Sequence, residues 1–188
     1  LGGVKISDKI GIIKNFSKKA DYFLIGGGIA NTFIKAQDLP IADSLCEEEI
    51  IPIARQLMKN KIISKKIFLT IDVSIDKRKI LDIGPKTIEK YSKIIQNAKT
   101  IIWNGPMGYI EKEKFRKGSI GIINAIAKNR AFTVIGGGET ISALQAASYE
   151  PQANVFLSIA GGAMLKYLAG NKLPGLIALT NRKIVNKL

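Results

Sequence analysis

The sequence predicts an α/β fold: a three-layer Rossmann-like domain with a parallel sheet of about six strands and helices on both faces. Three observations carry this reading. Short apolar runs alternate with stretches of helical period along the chain. The runs are continuous rather than alternating, as strands covered on both faces require. Two of them end in triglycine, Phe23-Leu-Ile-Gly-Gly-Gly28 and Val134-Ile-Gly-Gly-Gly138, and each is followed by a helix-like stretch.

The elements follow in order. Ser7 is expected to cap a helix over residues 8–19, with Ile10, Ile13 and Phe16 at helical spacing. Residues 21–25 read as a strand, and a helix runs from about residue 29 to 37. Ser44 is expected to cap a helix reaching about residue 60, with Glu47 to Glu49 in its first turn, where the dipole favours acids. Residues 66–72 read as a strand, inside a weakly marked segment, 59–79. Pro85 fits the first turn of a helix running to residue 97. Beyond it come a strand over 100–103, a helix over 119–128, a strand over 132–135 and a helix over 139–147. A strand over 155–159 and a helix through 164–168 complete the pattern. After Gly170 the character changes. Leu173-Pro-Gly-Leu-Ile-Ala-Leu179 is apolar without a strong period and leads into a basic run; it caps this domain or crosses to another part of the protein.

Composition narrows the function classes. At 188 residues and 46% apolar, the chain is long enough for one domain with a real core. The single cysteine, Cys46, excludes an internal disulfide and fits a reducing compartment. There is no histidine, so neither histidine catalysis nor a histidine-ligated metal is possible. No apolar run reaches the length of a membrane span, and no signal peptide is present. The formal charge is +14. It comes mostly from lysines that alternate with Ile and Asn, as a codon bias would produce, with only five arginines and no aromatic-and-basic patch. A lysine-rich surface is therefore preferred over a nucleic-acid-binding role. The chain opens on Leu1, directly on a motif, and is read as a fragment of a longer protein.

The motifs point to phosphate. A strand ending in glycines leaves bare backbone N–H groups at the next helix start, which suits an anion; tight strand–helix packing is the competing explanation. Neither triglycine is the dinucleotide fingerprint, because Asn31 and Ile141 stand where its third glycine belongs, and no P-loop occurs. Gly161-Gly162 gives a third glycine turn. In Trp103-Asn-Gly-Pro-Met-Gly-Tyr-Ile-Glu111, Asn104 offers an amide to a phosphate. Pro106 offers a flat apolar face to a sugar or base, and Glu111 offers an acceptor for ribose hydroxyls; an ordinary Asn-Gly-Pro turn is the alternative. Lys5 and Lys9 lie four apart around a helix start, either neutralising phosphoryl oxygens or solvated.

Leu1-Gly-Gly-Val-Lys-Ile-Ser-Asp-Lys-Ile10, Leu24-Ile-Gly-Gly-Gly-Ile-Ala-Asn-Thr-Phe33, Leu81-Asp-Ile-Gly-Pro-Lys-Thr87 and Trp103-Asn-Gly-Pro-Met-Gly108 closely resemble phosphoglycerate kinase. Val134-Ile-Gly-Gly-Gly-Glu-Thr140 and Gly170-Asn-Lys-Leu-Pro-Gly175 fit in the same order. The resemblance spans the chain but covers only the C-terminal, nucleotide-binding half of that enzyme. It implies phosphoryl transfer between 1,3-bisphosphoglycerate and MgADP, giving 3-phosphoglycerate and MgATP, in a cytoplasmic monomer. ADP or ATP would bind here with Mg2+, and the phosphoglycerate through an N-terminal domain absent from this sequence. No nucleic acid or membrane partner is implied. Residues 1–172 would form the nucleotide-binding domain, and 173–188 a tail crossing back to the absent one. Lys5 and Lys9 look like contacts to the transferred phosphoryl group and the nucleotide phosphates, with Gly138, Gly161 and Gly162 as further catalytic backbone. Gly3 and Gly137 belong with the nucleotide site, and Gly27, Gly28 and Leu81 with the adenine pocket. Asn104 looks like a phosphate ligand, with Pro106 and Glu111 at the ribose and Gly138 and Thr140 at the phosphates. Glu139 stands where the family has the aspartate that holds magnesium. Ile159 and Ala160 also depart from the family's Thr-Gly. A non-catalytic adenine-nucleotide-binding module, a decayed kinase, is the alternative.

Overall fold

The computed structural model describes residues 1–180. The elements are α1 (Ser7–Phe16), β1 (Phe23–Leu24), α2 (Gly27–Lys35), α3 (Ile51–Lys59), β2 (Ile67–Phe68), β3 (Val73–Asp76) and β4 (Lys79–Ile83). They continue as α4 (Pro85–Gln96), β5 (Thr100–Asn104), α5 (Lys117–Ala127), β6 (Phe132–Gly136), α6 (Gly138–Ala146), β7 (Val155–Ser158), α7 (Gly161–Leu168) and α8 (Pro174–Thr180). This is the expected α/β alternation.

The sheet differs from the expected six strands. Among the described residues it consists of a parallel ladder β5-β6-β7, a parallel pair β1-β2, and an antiparallel pair β3-β4. The first three residues stitch the two parallel ladders together. The Leu1 nitrogen donates to the Leu24 carbonyl (2.7 Å), and Gly26 N–H donates back to the Leu1 carbonyl (3.0 Å). On the other side, Gly2 N–H donates to Asn104 and Gly3 N–H to Pro106 (2.9 and 2.8 Å). A side chain on Gly2 would collide with the Pro106 carbonyl, and one on Gly105 with the Gly2 carbonyl, each at 2.2 Å. Glycines are required there because three backbones meet without room for a Cβ.

The apolar interior has two centres. Ile6, Ile13, Ile25, Ile29 and Phe33 gather under β1 and β2 with α3 residues Ala54 and Leu57. Ile83, Tyr91, Trp103, Ile123, Ile126 and Ile135 gather around β5 and β6. The Tyr91 hydroxyl reaches across to the Ile25 and Phe68 carbonyls (2.8 and 2.6 Å), joining α4 to the ends of β1 and β2.

Helix starts explain where the sequence expectations move. Ser7 does not cap α1. Its N–H, the Ile6 N–H and its own hydroxyl all donate to the Glu47 carboxylate. Glu47 is therefore not a first-turn acid of the next helix but a cap reaching α1 from 40 residues away. Ser44 caps nothing either: its hydroxyl donates to the Ile41 carbonyl and accepts from Ile80 N–H. The helix expected from Ser44 begins as a 3-10 turn at Glu48–Ile50 and becomes α only at Ile51, with Pro52 in its first turn. Asp72 caps α4 through Lys86 N–H and Thr87 N–H (3.0 and 2.8 Å). Within the weakly marked segment the expected strand shrinks to β2, and β3 pairs with β4 in a hairpin. Pro174–Thr180 is helical rather than irregular; the rest of the 173–188 tail lies outside the described residues.

Candidate functional site

Parallel registers place Asn104, Gly136 and Ser158 side by side at one edge of the β5-β6-β7 ladder. Beyond this edge start α6 and α7, and the stitch of residues 1–3 brings the start of α2 beside them. A cavity of about 470 Å³ opens here. Gly3, Gly27, Gly28, Leu81, Pro106, Glu111 and Glu139 line it, so seven of the residues singled out from the sequence meet in one place.

The helices at this edge start differently from three elsewhere. α1, α4 and α5 receive carboxylates: Glu47, Asp72, and Asp82, which accepts from Gly118 N–H at 2.8 Å. α2, α6 and α7 begin after Gly26, Gly137 and Ala160, with no side-chain cap. At α2 the backbone fills the gap, Gly27 N–H donating to Met107 and Ile29 N–H to the Gly3 carbonyl (2.9 and 3.1 Å). At α6, Gly138 and Glu139 N–H donate to no acceptor among the described residues. Gly138 and Gly162 face open space, and a side chain on Gly161 would come within 3.0 Å of the Gly137 Cα, so two uncapped helix starts lie against each other. Their N–H groups and dipoles favour an anion.

Lys9 supplies the charge. It is only 6% exposed, although it sits in the first turn of α1. Its Nζ makes one long hydrogen bond, 3.4 Å to the Lys5 carbonyl, and forms no ion pair among the described residues. Burial lowers its pKa, against the fields of Asp8, Glu139 and Glu47. A Cβ built on Gly3, itself at φ +80°, would lie 3.7 Å from Lys9 Nζ and 3.8 Å from Glu139 Oε2, so the glycine leaves both groups facing the same space. Lys5 is exposed, and neither it nor Lys9 lines the cavity, nor do Gly138, Gly161 and Gly162.

Two expected phosphate ligands are engaged elsewhere. Asn104 is buried, and its Nδ2 donates to the Gly136 carbonyl at 2.7 Å. The fully buried Thr140 hydroxyl accepts from Gly105 N–H (2.7 Å) and donates to Gly136 (2.9 Å). Both hold the 104–108 loop onto the end of β6. Sequence reasoning missed the wall that the β3–β4 hairpin contributes, Val73, Lys79 and Ile80, and it missed Leu45. It also passed over Asp82, whose carboxyl burial raises to about 6 despite hydrogen bonds from Gly118 and Ile83 and the field of Lys117. Gly108 and Gly118 wrap this group so closely that a Cβ on either would meet Oδ1 at 2.2 Å.

For a metal, Glu139 is an exposed carboxylate on the cavity wall in the first turn of α6. Among the described residues no group of three or more Asp, Glu, Cys or His forms a cage. One carboxylate fits the mode in which Mg2+ keeps its waters and takes its remaining ligands from substrate phosphates. No helix of the described residues is long and apolar enough to cross a membrane.

Residues 1–171 match the sequence model of the family Phosphoglycerate kinase. A phosphoglycerate kinase of Chloroflexus aggregans is 45% identical over 203 residues, covering 95% of this chain and 50% of that protein. The structure of phosphoglycerate kinase from Coxiella burnetii superposes with a TM-score of 0.88 at 37% identity, covering 97% of this chain and 52% of that one. The Pyrococcus horikoshii enzyme gives 0.84 at 29% identity, covering 95% and 50%. The chain spans about half the length of the curated relatives it matches.

Proposed function

The chain belongs to the phosphoglycerate kinase family, and from that premise we propose that it is the nucleotide-binding half of such a kinase. The reaction would be reversible phosphoryl transfer between 1,3-bisphosphoglycerate and ADP, giving 3-phosphoglycerate and ATP. The observation that carries the reading is Lys9. A buried ammonium with one weak hydrogen bond is costly unless an anion completes it. A nucleotide phosphate beside Gly3, under the uncapped start of α6, supplies that anion.

Such chemistry calls for positioning and charge neutralisation rather than a covalent nucleophile. Lys9 and the Gly138 and Glu139 N–H groups would hold phosphoryl oxygens. The glycine turn at Gly161-Gly162 would line the path of transfer with backbone alone. Lys5, exposed beside the site, would reach the transferring group once the second substrate closes over it. Asn104 and Thr140 act by fixing the loop that carries Pro106. Glu139 is the carboxylate that would hold Mg2+, which would neutralise phosphate charge when bound with the nucleotide.

Calorimetry with MgADP tests the reading. The folded chain should bind at sub-millimolar nucleotide. Glu139→Ala should weaken the magnesium dependence of that binding, whereas Glu139→Asp should keep it. No heat at millimolar MgADP sinks the reading; an unchanged magnesium titration in the Ala variant removes Glu139 from the metal shell. One feature favours the alternative of a non-catalytic adenine-nucleotide module: Ile159 leaves an apolar side chain 87% exposed just before α7. Binding without turnover in a complete protein would select that alternative.

A further inference from the structure

We propose that Glu47 is a positioning residue for the phosphate end of the site: from a segment that also walls the cavity, it fixes the backbone turn that carries Lys9. The inference rests on the nucleotide reading above and deepens it. Lys9 Nζ has no carboxylate partner among the described residues, so the backbone beneath it sets its place. In that turn Lys9 N–H and Ile10 N–H both donate to the Ile6 carbonyl (2.8 and 3.0 Å). The N–H groups of Ile6 and Ser7 come too early in the helix to find a partner within it. Both donate to Glu47 Oε2, and the Ser7 hydroxyl donates to Oε1 at 2.7 Å. One carboxylate therefore grips the turn at three points, and bonds to an ionised acceptor are the strong ones.

Glu47 is itself anchored to the rest of the site. Its N–H donates to the buried Thr32 hydroxyl of α2 at 3.1 Å, and Asn31 Nδ2 donates to the Leu45 carbonyl at 3.0 Å. Two residues further back, Asp43 and Arg78 pair twice. Asp43 N–H donates to the Arg78 carbonyl (3.1 Å), and Arg78 Nε donates to the Asp43 carboxylate (3.0 Å). Ile80 N–H donates to the Ser44 hydroxyl at 2.8 Å. Residues 43–47 thus run as a strap from the β3–β4 hairpin, past α2, to the start of α1, and Leu45 in its middle lines the cavity. A strap of this kind sets a distance. At one end is the wall that receives the body of the nucleotide, and at the other is the ammonium that meets its phosphate. Without the carboxylate, Ile6, Ile10 and Ile13 still anchor α1 in the core. The first turn is then free to shift, and a misplacement of about 1 Å is enough to spoil a contact of this kind.

The experiment measures binding of MgADP and of adenosine to the 188-residue chain. It is repeated with Glu47→Ala, Glu47→Gln and Ser7→Ala, each checked for folding by circular dichroism. The readout is the phosphate advantage, the Kd for adenosine divided by the Kd for MgADP. A general loosening of the fold weakens both ligands, whereas a displaced Lys9 weakens only the one that carries phosphate. Glu47→Ala should cut the advantage about tenfold and leave adenosine unchanged. Glu47→Gln keeps an acceptor oxygen and should stay within about threefold of the unsubstituted chain. Ser7→Ala removes one bond of three and should fall between the parent and Glu47→Ala. Equal weakening of both ligands in Glu47→Ala overturns the proposal while leaving the nucleotide reading intact. So does an unchanged advantage in that variant, or a Glu47→Gln variant that falls as far as Glu47→Ala. If Glu47→Ala does not fold, Ser7→Ala decides, and an advantage equal to the parent's overturns the proposal. Absence of any MgADP binding by the unsubstituted chain overturns the nucleotide reading itself, and the proposal with it.

Discussion

Three carboxylates line the cavity, and only one, Asp82, is withdrawn from water. Its folded pKa of about 6 lies above the usual 3.8, so between these values the folded state holds a proton that the unfolded chain has released. Stability therefore falls as pH rises through this window, and the loss is complete above about pH 6, unlike the pattern of an ion-paired carboxylate. The displacement corresponds to about 3 kcal/mol. Asp82→Asn removes the titration. Its stability relative to the parent should thus rise by about that amount between pH 4 and pH 7, read from denaturant melts. Parallel profiles would mean that the carboxyl ionises as readily folded as unfolded. At this scale the sequence was legible in part. Glycine turns, Pro106 and Glu139 declared themselves because backbone exposure and charge are local properties. Asp82 did not, because its significance lies in burial, which only the packed chain decides.

At the scale of elements, the helices other than α8 and the start of α3, and the β5-β6-β7 strands, followed their apolar period, with ends shifted by a few residues. The β3–β4 hairpin did not, and its turn explains why. Lys77 and Arg78 are its two central residues, and both take positive φ, +42° and +66°. Such turns are ordinarily marked by Asn-Gly or Asp-Gly, so two basic residues gave no signal. The caps were hidden for a related reason. Sequence rules look for a cap beside the helix, whereas Glu47 arrives from another segment. Its carboxyl, raised by burial but lowered more by hydrogen bonds from Ser7 and Ile6 and by the field of Lys5, lies below the ordinary range. Glu47→Ala leaves two N–H groups at the start of α1 unpaired and should cost about 1–2 kcal/mol in thermal or urea melts. A loss within experimental error would show that water replaces the carboxylate without penalty.

For the whole molecule, the cavity is assembled from residues 3–4, α2, the hairpin, residues 106–112 and α6, yet the chain spans only half of its relatives. On the proposed function the second substrate is held by the other half, and closure of the two brings the reacting groups together and excludes water. Residues 1–188 alone should bind nucleotide and show no measurable kinase turnover in a coupled assay with 1,3-bisphosphoglycerate. Robust turnover by this chain would place the phosphoglycerate site within it.

The stitch formed by the first three residues also bears on how the chain reaches its fold. Leu1 to Gly3 bridge β1 and β5: Leu1 pairs with Leu24 and Gly26, whereas Gly2 and Gly3 pair with Asn104 and Pro106, about a hundred positions away. Closing so long a loop costs entropy before any contact repays it. The two apolar centres, each drawn from one stretch of sequence, can condense without it. The floor of the cavity is then the last part to form, and a ligand meets no site until the barrier has been crossed. ADP should accordingly slow unfolding while leaving the refolding rate unchanged. Stopped-flow chevrons with and without nucleotide read both arms, and a folding arm accelerated by ADP would place the stitch early.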